Sequence, residues 1–374
     1  MLPFIDLKAQ YRRIQSQVRA NMDAVLERAG FILGPENGEL EQRLAEYAGV
    51  EYAFGCASGT DALVLALMAL GVGPGDAVLT TPFTFVATAG AVGLVGATPV
   101  FADIDPRTYN VDAEALEAAR VRVVKEHPEL TIKAVIPVDL FGQPADYDRI
   151  LPWARKHDLA LIVDAAQSFG AQHRGRSTCS LGDIACTSFF PAKPLGCYGD
   201  GGACFTHDPV LAELLVSLRV HGQGKERYDN VRLGINGRLD TLQAAVLLAK
   251  MDIFEDEILA RQAVAKRYDE LLAGSGLVTP YVAEGMRSAW AQYSVLAKSE
   301  SVREACRERL AKAGIPTAVY YPRCLHLQGT FKHLGGKPGE FPVAEDASKR
   351  IFSLPMHPYL TAADQERIAA ALSA

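Results

Sequence analysis

The chain has 374 residues, of which 49% are hydrophobic and 22% are charged, as in ordinary globular proteins. Its net charge of −6 argues against a nucleic-acid-binding protein, which would carry a basic stripe. No apolar run is long enough to cross a bilayer, and the first residues lack the apolar segment of a signal peptide.

Short apolar segments alternate with helical stretches from about residue 50 to 206, which is typical of a mainly parallel sheet with helices on both faces. We predict strands in the segments "DAVLTTP", "TPVFADI", "IKAVIPVDLFG", "LALIVDAAQ", "IACTSFF" and "GGACFTHD". A helix is predicted in "TDALVLALMALGV", directly after "ASG".

The composition changes in the last third of the chain. Residues 239–273 predict one long helical region, and the segments after it mix strands and helices. We therefore expect a large domain over residues 1–245, and over residues 246–374 a linking helix and a small C-terminal α+β domain.

Cysteine usage bears on the compartment and on metal binding. No two cysteines form a C-x-x-C pair and their number is odd, so we expect reduced thiols in a cytoplasmic protein and no metal site. The seven positions are Cys56, Cys179, Cys186, Cys197, Cys204, Cys306 and Cys324.

A single lysine, Lys193, lies in the apolar and glycine-rich stretch "TSFFPAKPLGCYGDGGA". If it is buried, its pKa is depressed and the neutral amine can form a Schiff base with a carbonyl. The alternative is a lysine on a turn between strands that extends its head group to water. This stretch alone does not separate the two.

A carboxylate, Asp164, ends the predicted strand "LALIVD". Ligands of open α/β sheets bind beyond the carboxyl ends of the strands, so Asp164 is placed for chemistry, although it could equally cap a turn. A cofactor with an aldehyde and a pyridine ring needs a lysine for the Schiff base and a carboxylate for the ring nitrogen. Asp164 and Lys193 provide this pair.

Two further signals concern a phosphate group and an aromatic ring. Gly59 and Thr60 open a predicted helix, where free N–H groups favour an anion, and Ser188 could add a hydroxyl. Phe83 and Phe85 could stack on a ring. Singly, the first signal is more often a plain helix cap and the phenylalanines are more often core residues. Together with the lysine and the carboxylate, they indicate pyridoxal phosphate.

Several motifs resemble the DegT/DnrJ/EryC1/StrS family of nucleotide-sugar aminotransferases, which has the fold-type I aspartate aminotransferase architecture. The similarity runs nearly end to end, and within the family it is greatest to enzymes that aminate C3 of a UDP-2-acetamido-3-oxo-glucuronic acid. The motifs are "FIDLKAQYRRI", "FILGPENGELE", "SGTDAL", "PFTFVAT", "DIDPRTYN", "VDAAQSFGA", "TSFFPAKPLGCYGDGG", "INGRLDTLQAAVL" and "LPMHPYL".

The resemblance implies a role for each residue of the cofactor site. Lys193 carries the cofactor as a Schiff base and shuttles a proton, Asp164 contacts the pyridine nitrogen, and Gln167 lies near the ring hydroxyl. The remaining contacts are the phosphate ligands Gly59, Thr60 and Ser188, and Phe85, which stacks on the ring where close relatives have tyrosine.

The resemblance also implies contacts to the substrate and to a second subunit. Asn236 reaches the cofactor phosphate of the neighbouring subunit, so the active unit is a homodimer. Arg238 is expected to hold a substrate carboxylate, and a salt bridge to an interface acid is the alternative. Further substrate contacts are implied for Tyr320, Tyr321 and His326.

The segment "YYPRCLH" departs from the family pattern, because Arg323 and Cys324 replace the usual small or proline residues. This departure bears on the fine substrate contacts and leaves the chemistry untouched. A pair of neighbouring tyrosines in a small domain is also more often packing than ligand.

The implied reaction moves an amino group from glutamate to C3 of a UDP-linked keto sugar, for bacterial surface polysaccharides. Another 3-keto or 4-keto nucleotide sugar is the alternative substrate. Related dehydrases have histidine in place of the lysine, and Lys193 argues against that class. A non-catalytic regulator could lose the lysine or the phosphate site, and this chain has both.

Overall fold

The centre of the protein is a seven-stranded sheet in a computed structural model that describes residues 2–226 and 228–373. The strands are β1 (Tyr52–Cys56), β2 (Asp76–Thr80), β3 (Thr98–Phe101), β4 (Thr131–Val135), β5 (Ala160–Asp164), β6 (Gln172–His173), β7 (Arg176–Ser177), β8 (Ile184–Ser188), β9 (Gly202–Thr206), β10 (Met286–Arg287), β11 (Tyr293–Leu296) and β12 (Ile351–Leu354). The helices are α1 (Leu7–Arg28), α2 (Pro35–Ala48), α3 (Gly59–Ala69), α4 (Val86–Leu94), α5 (Ala113–Glu126), α6 (Tyr147–Lys156), α7 (Pro209–Leu218), α8 (Thr241–Met251), α9 (Phe254–Leu271), α10 (Glu300–Lys312), α11 (Pro342–Arg350) and α12 (Ala362–Ser373).

The strand order in this sheet is β1-β9-β8-β5-β4-β2-β3. Strand β9 is antiparallel to both of its neighbours, and the other neighbouring strands pair in parallel. The predicted mainly parallel sheet is confirmed, and the six predicted strands are β2, β3, β4, β5, β8 and β9. The prediction missed β1, which forms one edge of the sheet.

Helices cover both faces of the sheet, which explains why its central strands are so apolar. Helices α3, α4 and α7 pack on one face, against residues such as Val78, Ile162 and Ile184. Helices α2, α5, α6 and α8 pack on the other face, where Leu79 and Val163 point. Alternate residues of one strand thus enter opposite cores, as the pleat requires.

The predicted long helical region consists of two helices, α8 and α9, separated at Asp252 and Ile253. Helix α9 packs on a C-terminal α+β unit in which β11 and β12 pair antiparallel and α10 and α12 complete a separate core. The expected boundary at residues 245 and 246 falls inside α8, and this division of the chain stays a prediction. No helix in the described part of the chain is long and apolar enough to span a membrane.

The carboxyl ends of four strands lie at one edge of the sheet and position the site. Strand β5 ends at Asp164 and β8 ends at Ser188. Strand β1 leads into the start of α3, and β2 leads into the segment that begins α4. Ligands of open α/β sheets bind at this edge.

Candidate active site

Asp164 is buried at the end of β5, with 4% of its surface exposed. Its Oδ2 accepts a hydrogen bond of 2.7 Å from Oγ1 of Thr88, and its Oδ1 accepts one of 3.2 Å from the Ala166 N–H. Burial raises the pKa of Asp164, while these two donors and the charge of Lys193 oppose the rise. The carboxylate therefore has two fixed donors that favour its ionised form.

Lys193 lies on the loop after β8, where its N–H donates a hydrogen bond of 2.8 Å to the Phe190 carbonyl. The residue is half-buried. Burial lowers the pKa of Lys193, and the negative charge of Asp164 opposes this shift. The structure thus places Lys193 and Asp164 within electrostatic reach of each other, with Lys193 partly removed from solvent.

The start of α3 and the end of β8 form a tight backbone pocket, here called the phosphate cradle (Ser58, Gly59, Thr60 and Ser188). A Cβ atom on Gly59 would lie 2.6 Å from the Cβ of Ser188, and one on Gly202 would lie 2.5 Å from the Ser58 carbonyl. Only glycine permits these approaches. Ser58 caps α3 by accepting a hydrogen bond of 3.0 Å from the Asp61 N–H.

The phosphate cradle combines groups of the kind that can bind a phosphate. The first N–H groups of an α-helix have no partner within the helix, and the positive end of the α3 dipole lies beside them. Thr60 and Ser188 are half-buried and carry hydroxyls beside it. A phosphate group therefore fits at this position, on the same sheet edge as Asp164 and Lys193.

An exposed aromatic ring lies at the same edge of the sheet. Phe85 directly precedes α4 and has 55% of its surface exposed, whereas Phe83 is fully buried and belongs to the core. The centroids of the Phe85 and Tyr321 rings are 6.4 Å apart. Phe85 thus offers a face for a flat ring, and Phe83 does not.

Gln167 is fixed between two parts of the chain. Its Oε1 accepts a hydrogen bond of 2.6 Å from the Phe141 N–H, and its Nε2 donates one of 3.1 Å to the Tyr321 hydroxyl. Burial raises the pKa of Tyr321, so this hydroxyl stays protonated. Gln167 therefore links Tyr321 to the segment that follows Asp164 at the end of β5.

Asn236 and Arg238 follow the loop after α7. Asn236 is exposed, and its backbone bridges to Val220. Arg238 is half-buried, its backbone bridges to Cys56 at the end of β1, and its Nε is buried without a hydrogen-bond partner among the described residues. Arg238 therefore lies beside the strand that leads into the phosphate cradle, with part of its guanidinium unpaired.

The remaining predicted substrate residues separate into two groups. Tyr320 is half-buried next to Tyr321, whereas His326 is 3% exposed and its Nε2 lies 3.2 Å from Glu345. The structure does not bring His326 to the group around Lys193, and its role as a substrate contact stays a prediction. Arg323 is exposed and Cys324 is buried, with burial raising the pKa of that thiol to about 12.

Thr88 is a site residue that the sequence analysis missed. It lies in the first turn of α4, is 1% exposed and reaches Asp164 across 76 residues of sequence. The only available signal was its spacing, three residues after Phe85 at the start of a helix. Such spacing places two side chains on one helical face, but it does not identify a partner on another strand.

The described residues contain no cluster of three or more histidine, cysteine, aspartate or glutamate side chains that could hold a metal. All seven cysteines are buried and free.

This fold, with a lysine, a buried carboxylate and a phosphate cradle at one sheet edge, defines an aminotransferase of fold type I. The chain belongs to the DegT/DnrJ/EryC1/StrS aminotransferase family, whose model matches residues 12–373. It is a pyridoxal-phosphate-dependent aminotransferase of nucleotide sugars.

Two relatives match over nearly their whole length. UDP-2-acetamido-2-deoxy-3-oxo-D-glucuronate aminotransferase from Pseudomonas aeruginosa is 50% identical over 373 residues, covering 100% of both chains. A pleiotropic regulatory protein from Geobacillus stearothermophilus is 42% identical over 370 residues, covering 98% of this chain and 96% of its own.

Two solved structures show the same architecture. A DegT DnrJ EryC1 StrS aminotransferase from Brucella abortus is 50% identical and superposes with a TM-score of 0.96, covering 100% of this chain and 98% of its own. NtdA from Bacillus subtilis, solved with bound pyridoxamine phosphate, is 28% identical with a TM-score of 0.88, covering 99% of this chain and 82% of its own.

Proposed function

We propose that this enzyme transfers an amino group from glutamate to C3 of a UDP-linked 2-acetamido-3-oxo-hexuronic acid. The observation that carries the substrate class is Arg238, whose half-buried guanidinium has a buried Nε without a partner. The name of the Pseudomonas aeruginosa relative, at 50% identity over the full chain, supports the same sugar. The product would serve bacterial surface polysaccharides.

Each residue at the sheet edge would bind a different part of the cofactor. Lys193 would hold it covalently through Nζ, Asp164 would accept the proton of its ring nitrogen in a hydrogen bond, and Phe85 would cover its ring. The phosphate would lie against Gly59, Thr60 and Ser188. When bound, pyridoxal phosphate supplies an aldehyde that carries the amino group and a protonated ring that takes up an electron pair.

Lys193 also has the properties of a proton carrier. Because burial lowers its pKa, a larger fraction of Nζ is neutral near neutral pH than for an exposed lysine. A neutral Nζ can take a proton from the α-carbon of the donor and later deliver one to C3 of the sugar. Asp164 must stay ionised during both steps, which its contacts with Thr88 and the Ala166 N–H favour.

Arg238 would bind the carboxylate that distinguishes a hexuronic acid from a hexose. A buried carboxylate without partners costs several kcal/mol, so a site for a uronic acid needs a cation or several donors. A guanidinium can donate two parallel hydrogen bonds to a carboxylate. Arg238 carries such a guanidinium on a half-buried side chain beside the end of β1.

Asn236 supports a homodimer with shared sites. Its side chain is exposed on the loop between α7 and α8. In a two-fold dimer, one patch faces its own copy, so each subunit would contribute Asn236 to the other site. Seven free, buried cysteines support a reducing compartment, so we also propose a cytoplasmic location.

The test mixes the purified pyridoxamine form with a panel of 3-keto and 4-keto UDP- and dTDP-sugars and follows absorbance of the regenerated aldehyde form. We expect the 3-keto uronic acid to react fastest. Borohydride reduction and peptide mapping should place the cofactor on Lys193. Equal rates with a neutral hexose would contradict the uronic-acid proposal, and a label on another lysine would contradict the assignment of Lys193.

A further inference from the structure

Lys250 is a lysine that the proposed chemistry does not use, and it is 1% exposed in α8. Its Nζ donates a hydrogen bond to the carbonyl of Gly196 and lies 4.4 Å from the centroid of the Tyr198 ring. Both residues belong to the segment that follows Lys193. A buried lysine therefore contacts the loop that carries the proposed cofactor lysine.

This loop, residues 189–197, closes on itself with Lys193 at its tip. The Cys197 N–H donates a hydrogen bond of 2.7 Å to the Phe189 carbonyl, which joins the two ends. A Cβ atom on Gly196 would lie 2.5 Å from the Pro191 carbonyl oxygen and 2.7 Å from that of Phe190. Gly196 thus packs against the backbone that directly precedes Lys193, and a shift of Gly196 moves that backbone.

Helix α8 holds the far side of the loop through two side chains. Gln243 accepts a hydrogen bond of 2.9 Å from the Tyr198 N–H, and Lys250 donates to Gly196. The two residues are seven positions apart, which places them on the same face of the helix, two turns from each other. The helix thus fixes both Gly196 and Tyr198.

The ammonium group of Lys250 has an unusual environment for its burial. No described carboxylate forms an ion pair with it, and Glu257 acts on it only through space. Burial lowers the pKa of Lys250 to about 8. Burying such a group without a paired acid costs stability, so an apolar side chain of similar volume would be tolerated or would stabilise the fold.

We propose that Lys250 is a positioning residue that fixes the loop of residues 189–197 and so aims Lys193 at the cofactor and the substrate carbon. This inference rests on the proposed role of Lys193. Lys250 touches neither ligand and acts through the Gly196 carbonyl. A misplacement of a reacting group by about 1 Å can cost about 100-fold in rate, so loss of this contact should reduce turnover.

The test compares Lys250→Met, which keeps an unbranched apolar side chain of similar volume and removes the donor, with the wild type. The matched control is Lys133→Met, because Lys133 in β4 also donates to a glycine carbonyl, that of Gly71 at 3.0 Å. Its Nζ lies 3.0 Å from Asp76 at the amino end of β2, so it is away from the carboxyl edge that carries the site. The readouts are kcat and KM for the keto sugar, the melting temperature, and amide hydrogen exchange of residues 189–199 in the cofactor-free protein.

We expect Lys250→Met to lower kcat by about 10- to 100-fold with KM changed less than about two-fold. Exchange at the Lys193 and Cys197 amides should rise by about 10-fold or more, without a fall in melting temperature. Lys133→Met should leave kcat and this exchange unchanged. A wild-type kcat in Lys250→Met, or a fall in melting temperature alone, would overturn the proposal.

A second variant covers the case in which Lys250→Met does not fold. Lys250→Gln keeps an N–H donor on a shorter side chain, and we expect its kcat and its exchange to lie between those of wild type and full loss. A wild-type kcat in Lys250→Gln would then overturn the proposal. If borohydride labels Lys193 in the wild type but the Lys250 variants keep the wild-type kcat and amide exchange, this inference fails. The proposed function still stands in that case.

Discussion

Thr88 donates a hydrogen bond of 2.7 Å to Asp164, and this bond joins the first turn of α4 to the end of β5. The Thr88 hydroxyl also lies 3.1 Å from that of Thr84. A donor to a buried carboxylate favours its ionised form. The contact therefore opposes the rise in the pKa of Asp164 that burial causes.

Replacing Thr88 with valine should impair both halves of the reaction. Thr88→Val keeps the shape of the side chain and removes the donor, so the pKa of Asp164 should rise further. We expect the rate of the half-reaction with glutamate to fall about 10-fold, since hydrogen bonds to charged groups are worth about 1.5–3 kcal/mol. The acid limb of its pH profile should move to higher pH, which single-turnover absorbance measures.

The control is Thr80→Val. Thr80 is also fully buried, and its hydroxyl donates a hydrogen bond of 2.9 Å to the Ile136 carbonyl, which is not a charged group. It should lose stability without shifting the pH profile. An unshifted acid limb in Thr88→Val would show that Thr88 does not act on Asp164.

The fold could be predicted where buried strands have a continuous apolar sequence. Four of the five residues of strand β5 are buried, and the four residues before Asp164 are all apolar. Strand β1 lies at an edge, alternates in burial and contains Gly55, so its signal is weak. The break between α8 and α9 falls at Asp252 and Ile253, and no glycine or proline marks it in the sequence.

The site could be predicted where one residue type fits one chemical task. Lys193 and Asp164 each follow a strand, and a pyridine cofactor needs both types. Thr88 and Lys250 carry no such signal, because their partners lie 76 and 54 residues away in sequence. Threonine in a helix and lysine in a helix are ordinary, and only the tertiary contacts distinguish them.

A methyl group on Gly59 should damage cofactor binding. In Gly59→Ala the new Cβ would lie 2.6 Å from that of Ser188, so the start of α3 or Ser188 must shift. We expect the dissociation constant of pyridoxal phosphate to rise at least about 10-fold, with about 1–3 kcal/mol lost in stability. Titration of the cofactor-free protein, followed by absorbance, measures this.

Gly38→Ala serves as the matched control for that prediction. Gly38 lies inside α2 with no atom within 4 Å of the new Cβ, so alanine should stabilise the fold by about 0.5–1 kcal/mol. Cofactor affinity should be unchanged. Equal affinity in both variants would count against a phosphate at Gly59.

Shared sites should allow inactive variants to complement each other. Asn236 is exposed and lies on a different loop from Lys193. If each site combines the two from different subunits, a mixture of Lys193→Ala and Asn236→Ala should regain up to about one quarter of wild-type activity through hybrid dimers. Activity is measured after subunit exchange. Absent recovery, with exchange demonstrated by mass spectrometry, would rule out the shared arrangement.

His357 should make the protein less stable in acid. Burial, together with the positive charge of Arg261, lowers the pKa of His357 from 6.5 to about 4. Below about pH 6.5 the imidazole of His357 is protonated in the unfolded chain but not in the folded chain. The free energy of unfolding therefore falls as the pH drops towards 4. Between about pH 7.5 and pH 5, wild type should lose about 2 kcal/mol more than His357→Met.

Urea unfolding at both pH values, with saturating cofactor, measures this difference. His333→Gln is the control, because His333 is exposed in the segment before α11. It should show the pH dependence of wild type. An equal loss in wild type and His357→Met would mean that His357 is protonated in the folded protein.

Arg238 should determine the preference for an acidic sugar. Its Nε is buried without a partner, and a uronic acid brings the carboxylate that such a donor binds. In Arg238→Ala, KM for the 3-keto uronic acid should rise by about 100-fold, whereas KM for the neutral 3-keto hexose should change little. The half-reaction with glutamate should change less than that with the sugar.

Two further variants separate the charge of Arg238 from its geometry. Arg238→Lys keeps the charge but not the planar fork of donors, so it should recover the preference only in part. Arg323→Ala removes an exposed cation close to Tyr321 in sequence, and it should leave the preference intact if Arg238 alone binds the carboxylate. A preference that survives Arg238→Ala and disappears in Arg323→Ala would move the carboxylate site to Arg323.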